Sequence, residues 1–217
     1  MKKQFSFLLT ALLLIGFFSV NAQLKVKSKD LKAMKEARKQ AKKLKKQGWN
    51  VAPGALPLEK SLESSWSMLL ERDDEGVKKY LDADGNAVSE TKTAADLQAL
   101  EMAKLNLAGQ LETEIAALVE ASIANEQLTR EEAASVTKVV TGSKHLIATT
   151  IKRVDPVYKV YREVGKSNVE VQLKLFYNLN SALNTAKQTL RNKLSEETEI
   201  IHEKLDKMLK LDDKATN

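Results

Sequence analysis

The chain has 217 residues, 43% of them hydrophobic, a formal net charge of +6, no cysteine, eight glycines and two histidines. Such a length supports one domain with a sizeable core plus appendages. The lack of cysteine excludes disulfides, thiolate metal sites and a lipidated cysteine, and the few glycines leave little material for a phosphate-cradling loop.

In chain order, Met1-Lys2-Lys3 is a short positive start, and Phe5 to Val20 is an apolar run broken only by Ser6, Thr10, Gly16 and Ser19. With Val20-Asn21-Ala22 as a small-residue cleavage site, residues 1–22 are expected to be a cleaved secretory signal peptide, short of the roughly 20 residues a spanning helix needs. The expected location is periplasmic or secreted, without a lipid anchor.

Residues 23–56 read as a basic amphipathic helix and a linker. From Lys25 to Lys46 eleven lysines and arginines face only Asp30 and Glu36, so a strongly basic arm precedes a mildly acidic body. Leu31, Met34, Ala37, Ala41 and Leu44 recur at helical spacing, which predicts a helix from near Ser28 to Gly48 with one narrow apolar stripe. Lys32, Lys35, Arg38, Lys39, Lys42, Lys43 and Lys46 are the candidate contacts for an anionic membrane surface or lipopolysaccharide; a solvated helix docked on the body is the competing reading. Nucleic acid is not expected as a partner of an exported chain. Trp49 to Pro57 follows as a linker with a Pro53-Gly54 turn.

Residues 57–217 are expected to form an α+β domain. Pro57 opens a helix with Leu58, Leu62, Trp66 and Leu69 on one face, Asp73-Asp74-Glu75-Gly76 ends it, and Val77 to Leu81 reads as a short strand. Asp84-Gly85-Asn86 is expected to turn the chain before Ser89 or Thr91 caps a long helix from Thr93 to about Asn125, striped by Leu97, Leu100, Ala103, Leu107, Leu111, Ile115, Leu118 and Ser122. Thr129 and Glu132 form a capping box for a second helix with Ala133, Val136, Val140 and Ile147 inward. A hairpin follows. Its first strand, an edge strand or one entered through a bulge because of Pro156, turns Val154, Pro156, Tyr158 and Val160 to one face; its second turns Val169, Val171, Leu173, Leu175 and Tyr177 to one face; and Gly165 to Asn168 joins them. One long C-terminal helix from Asn180 to about Leu211 completes the domain. The fold class is a small antiparallel sheet (strand, two helices, two-stranded hairpin, helix) with long helices packed on one face, the other being wet, plus the N-terminal basic helix.

The runs KKLKKQGWNVAPGALPLEKSLE, TAADLQALEMAKLNLAGQLETEIAALVEAS, EAASVTK, VEVQLKLFYN and IHEKLDKML resemble those of a family of exported Bacteroidetes proteins, and more distantly the small surface lipoprotein family of a gastric pathogen, whose lipidated cysteine is missing here. The resemblance covers roughly residues 49–209. It implies a strand leading into an alanine-rich helix with Ala95, Ala99, Ala103 and Ala108 as recurrent small positions, and it carries no activity.

Chemistry-bearing patterns are sparse. Asp82, Asp84 and Asn86 are the candidate metal ligands, but counted as a calcium loop from Asp82 the glycine position holds Ala87 and the bidentate glutamate position holds Thr93. His202-Glu203-x-x-Asp206 is a broken zinc-hydrolase signature with His145 as a conceivable third ligand, set among Lys204, Lys207 and Lys210. Tyr161 and Phe176 could form an aromatic patch if exposed together. No nucleophile, cofactor or small-molecule substrate is identifiable. The expected function is non-enzymatic: an exported cell-envelope binding or structural protein that contacts an anionic surface through its basic helix. The alternative is a protein-protein interaction or oligomerisation module using the long helices and the hairpin edge, and the remote one a metal-dependent hydrolase.

Overall fold

In the computed structural model, residues 30–125, 128–151, 154–197 and 202–209 are described; the expected signal peptide and the start of the basic arm lie outside them. The first helix, α1, occupies 30–46. It stops where the sequence puts a glycine: Gly48 takes a φ of 82°, the Gly48 N–H bonds the Lys45 carbonyl at 3.1 Å and the Trp49 N–H bonds that of Leu44 at 3.1 Å. This is a Schellman cap, and its accompanying hydrophobic contact joins Trp49 to the Leu44 cluster. The linker then bridges Asn50 to Tyr161 through two backbone bonds of 2.8 and 2.9 Å, before α2 (Leu58–Leu70) begins directly after Pro57.

The three strands are β1 (Tyr80–Ser89), β2 (Tyr158–Val164) and β3 (Asn168–Asn178), ordered β1-β3-β2 with both pairings antiparallel. β2 is therefore an edge, one of the two readings that Pro156 allows, and the proline itself lies before the strand begins at Tyr158. Gly165, at φ 68°, turns the β2–β3 hairpin. Among the described residues three helices, α3 (Lys92–Ala124), α4 (Arg130–Thr141) and α5 (Lys144–Thr150), stand between β1 and the hairpin where two are expected; Ile147 belongs to α5. The Thr129–Glu132 capping box of α4 is complete.

Where a turn is expected at Asp84-Gly85-Asn86, β1 runs straight through. Turn chemistry loses to packing here. Ala83, Gly85 and Ala87 are the small residues of one face, and α3 lies so close that a Cβ at Gly85 would stand 1.9 Å from the Ala99 carbonyl oxygen. Thr91 caps α3, its hydroxyl accepting from the Ala94 N–H at 3.2 Å. The buried stripe of α3 starts with Ala95, Ala99 and Ala103 and continues through Leu107, Leu111, Ile115 and Val119. Leu97, expected inside, is 61% exposed, because only alanines fit where the helix crosses the sheet. Asn106 and Gln110 of α3 donate to the Asp84 and Asp82 carbonyls at 2.8 and 2.9 Å, occupying acceptors on the free edge of β1.

The C-terminal helix is two helices, α6 (Leu179–Glu197) and α7 (His202–Leu209). Arg191 Nη2 reaches Asp206 Oδ2 at 2.9 Å; in a straight helix fifteen residues span about 22 Å, so the chain folds back. Leu205, Met208 and Leu209 thereby enter the core beneath α3.

Register decides the layers. Tyr161 lies opposite Val171 and Tyr158 opposite Lys174, so the apolar side of β3 (Val171, Leu173, Leu175) and that of β2 (Tyr158, Val160) face opposite ways. The first joins the main core with α3 to α7. The second is covered by α1, α2 and Trp49. Neither face is left wholly wet: the molecule has three layers, and the basic helix is one of them.

Candidate functional site

α1 docks through Ala37, Ala41 and Leu44 against Trp49, Leu58, Leu62, Tyr158 and Val160, with Ala33 also fully buried. The expected stripe is thus rotated: Leu31 is 66% exposed, and with Met34 it lies along the outer groove of Lys35, Arg38, Lys39 and Lys42. The α2 side is fastened by the Trp66 indole N–H, which donates to Gln40 Oε1 at 2.9 Å. A looser Lys45–Glu59 pair at 3.6 Å joins the same two helices.

Alanine spacing of four residues turns one side of α1 to the body, so the helical period turns the lysines away. Lys32, Lys35, Arg38, Lys39, Lys42, Lys43 and Lys46 are all exposed. None of the seven has an ion-pair partner among the described residues. They form a cationic ridge on a helix that is itself held at a fixed orientation.

The candidate metal ligands have another task. Because β1 is continuous, Asp82, Asp84 and Asn86 point to the α1–α2 side of the sheet. Lys174 Nζ stands 2.8 Å from Asp82 Oδ2 and 3.1 Å from Asp84 Oδ2. Burial disfavours the Lys174 ammonium, but the hydrogen bonds and charges of the two aspartates outweigh it and hold its pKa above the ordinary lysine value. Next along, Asn86 donates to Glu170 Oε1 at 3.0 Å and Arg162 Nε to Glu170 Oε2 at 2.7 Å. Arg162 lies over the Trp49 ring at 4.6 Å and donates to the Gln47 carbonyl, tying the sheet to the end of α1. A lysine thus occupies the place between the aspartates that a cation would take. β3 alternation shows Lys174 pointing away from the apolar face, but only register brings it to Asp82.

In the broken zinc signature, Asp206 is gripped by Arg191, whose pKa is raised by that hydrogen bond, and Lys204 Nζ bonds Glu132 Oε1 at 2.6 Å. That lysine, then the Thr129 backbone N–H, holds the Glu132 carboxyl below the usual carboxylate range. The His202 side chain lies outside the description, and His145 is exposed at the start of α5. Among the described residues no group of three or more His, Asp or Glu side chains could hold a metal. Tyr161 and Phe176 lie on opposite faces of the sheet, and Phe176 is buried against Tyr80, ring centroids 6.4 Å apart, so they make no shared patch.

Comparison of the chain with known protein families, with curated proteins and with solved structures gives no match. No described helix is long and apolar enough to cross a membrane.

Proposed function

We propose that the protein is an exported, non-enzymatic component of the cell envelope that holds an anionic surface, a lipid or lipopolysaccharide layer, against the outer side of α1. The observation that carries this reading is the ridge of seven exposed cations, without ion-pair partners among the described residues, on a helix whose opposite side is locked to the body. Leu31, exposed among them beside the half-buried Met34, supplies an apolar element that can enter the headgroup boundary while the lysines meet phosphates. Each such cation near an anionic leaflet contributes about 1 kcal/mol, screened by salt. The proposed export rests on residues 1–22, and the family likeness on the sequence runs alone.

Co-sedimentation of the mature chain with vesicles tests this. Binding is expected to anionic vesicles and not to zwitterionic ones, to weaken with added salt, and to be lost in the Lys35→Glu/Lys39→Glu/Lys42→Glu variant. Salt-insensitive binding, or binding unchanged by the triple reversal, overturns the reading. A stable oligomer by light scattering at low and high salt alike, without vesicle binding, would favour an interaction module instead.

A further inference from the structure

Beside the β2 edge lies a cavity of about 300 Å³, at the small end of the range for small-molecule sites. It exists because the linker pairs with β2 at a single position. Asn50 and Tyr161 exchange two backbone bonds, but the bridge is isolated. Val51, Ala52, Ala55 and Leu56 then diverge from Pro156, Val157 and Lys159, and the gap between them stays open. Most of this wall is apolar.

The polar groups are few and converge from other elements. Lys92, the first residue of α3, holds its Nζ 3.7 Å from the centre of the Tyr161 ring. It has no carboxylate partner among the described residues. Asp96, one turn on, is already paired with Lys159 Nζ at 2.6 Å. The cavity lining therefore carries one uncompensated positive charge, held on an aromatic face. Ser61 is buried on the lining, its backbone N–H bonded to the Pro57 carbonyl at 3.1 Å.

Lys92 is also misplaced by helix rules. A cation at the first position of a 33-residue helix opposes the positive end of the macrodipole, and the first turn of α3 holds no acid to offset it. Departures from local preference of this kind are expected at functional or strained sites. An anion in the cavity would meet both the Lys92 ammonium and the helix end. One surplus charge matches a monoanion, and the walls match a hydrocarbon.

We infer that this cavity binds a small aliphatic carboxylate, its carboxylate at Lys92 and its chain against Val51, Ala52, Leu56 and Val157. The site is separate from the cationic ridge of α1. Calorimetric titration of the full mature chain with octanoate, and with octanol as the neutral probe, tests it. Saturable one-to-one binding of octanoate is expected, with octanol about tenfold weaker and Lys92→Met weakening octanoate by a similar factor, the size of one charged hydrogen bond. Ala52→Leu should block the cavity without touching the charge. Lys92→Met should leave thermal stability unchanged or slightly raised, since it relieves the helix end. Absence of saturable octanoate binding, or equal affinity in the wild type, Lys92→Met and Ala52→Leu, overturns the inference. So does loss of binding in the α1 triple reversal with retention in Lys92→Met, which assigns the anion to the ridge.

Discussion

The two faces of the sheet are covered in different ways. On one, α3 to α7 bury a continuous aliphatic core running from Ala99 through Leu111 and Leu173 to Leu205 and Leu209. On the other, α1 and α2 meet the sheet through a small cluster in which alanines, Leu44, Leu62 and Trp49 surround Tyr158 and Val160, beside a charged network of Asp82, Asp84, Lys174, Glu170 and Arg162. Hydrophobic burial scales with area and dispersion with contact, so the first layer holds the fold. The second holds a helix in position. A basic helix that has only to present its outer side needs little more than a docked orientation, and a stripe of alanines provides it.

The difference can be broken most severely at the point where α3 touches β1. Gly85→Val would drive a side chain into the Ala99 backbone, which cannot yield as a flexible side chain could. A loss of about 3 kcal/mol or more is expected, read as a large drop in the urea midpoint by far-ultraviolet circular dichroism.

Next come paired truncations. Leu111→Ala, in the main core, should cost about 2–5 kcal/mol of global stability. Leu62→Ala, equally buried, should instead loosen the α1–α2 layer. The chain's two tryptophans, Trp49 and Trp66, both belong to that layer, so tryptophan fluorescence reports on it alone. In the wild type the fluorescence transition should precede or coincide with the dichroism transition, and Leu62→Ala should move fluorescence to lower urea while hydrogen exchange in α3 stays protected. If both truncations shift both probes equally, the layers are one cooperative unit and the comparison fails.

Lys174→Met tests the charged network with a smaller effect. It leaves Asp82 and Asp84 facing each other without their shared ammonium, a cost of about 1–3 kcal/mol at neutral pH.

The smallest effect is at Glu132, which joins α4 to α7. Its folded pKa is lowered, so its contribution is present above the unfolded value of about 4.3 and is lost as pH falls through the lower folded value. Glu132→Gln keeps a residue compatible with the capping box but ends the Lys204 ion pair. Its urea midpoint should lie slightly below the wild type at neutral pH and converge with it in acid, as pH falls through the lowered folded value. The burial of Tyr158, and then the charge of Asp84, push its phenol well above the ordinary value. Stability should therefore decline as pH rises past about 10, and absorbance titration should find one tyrosine lagging the others.

Much of this architecture is written locally. Gly48 ends α1, Thr91 and Thr129 start α3 and α4, and Gly165 turns the hairpin, each through interactions spanning a few residues. The alternation of β3 is visible because its apolar side is buried and its other side is polar. The candidate site is half legible in the same way. The lysines of α1 are plain from composition, and the period of its alanines predicts that one side could dock, but Leu31 and Met34 drew the expected stripe to the wrong side because larger apolar residues weigh more in a periodicity. In β1 the aspartates, asparagine and glycine carry turn chemistry, and nothing local opposes it. The cavity at Lys92 had no local sign except a lysine where a helix start disfavours one.

By itself, the sequence determined the C-terminal end of α1, the starts of α3 and α4, the alternation of β3, the α+β class and the segregation of positive charge onto one helix, since all of these follow from interactions between residues close in the chain. Only the tertiary structure decided that Asp84-Gly85-Asn86 is strand, that the apolar sides of β2 and β3 face opposite layers, that Lys174 stands between Asp82 and Asp84, and that the last helix folds back on itself. These depend on pairing register and on how closely α3 approaches β1, quantities set by residues far apart in sequence and fixed only when the whole core closes.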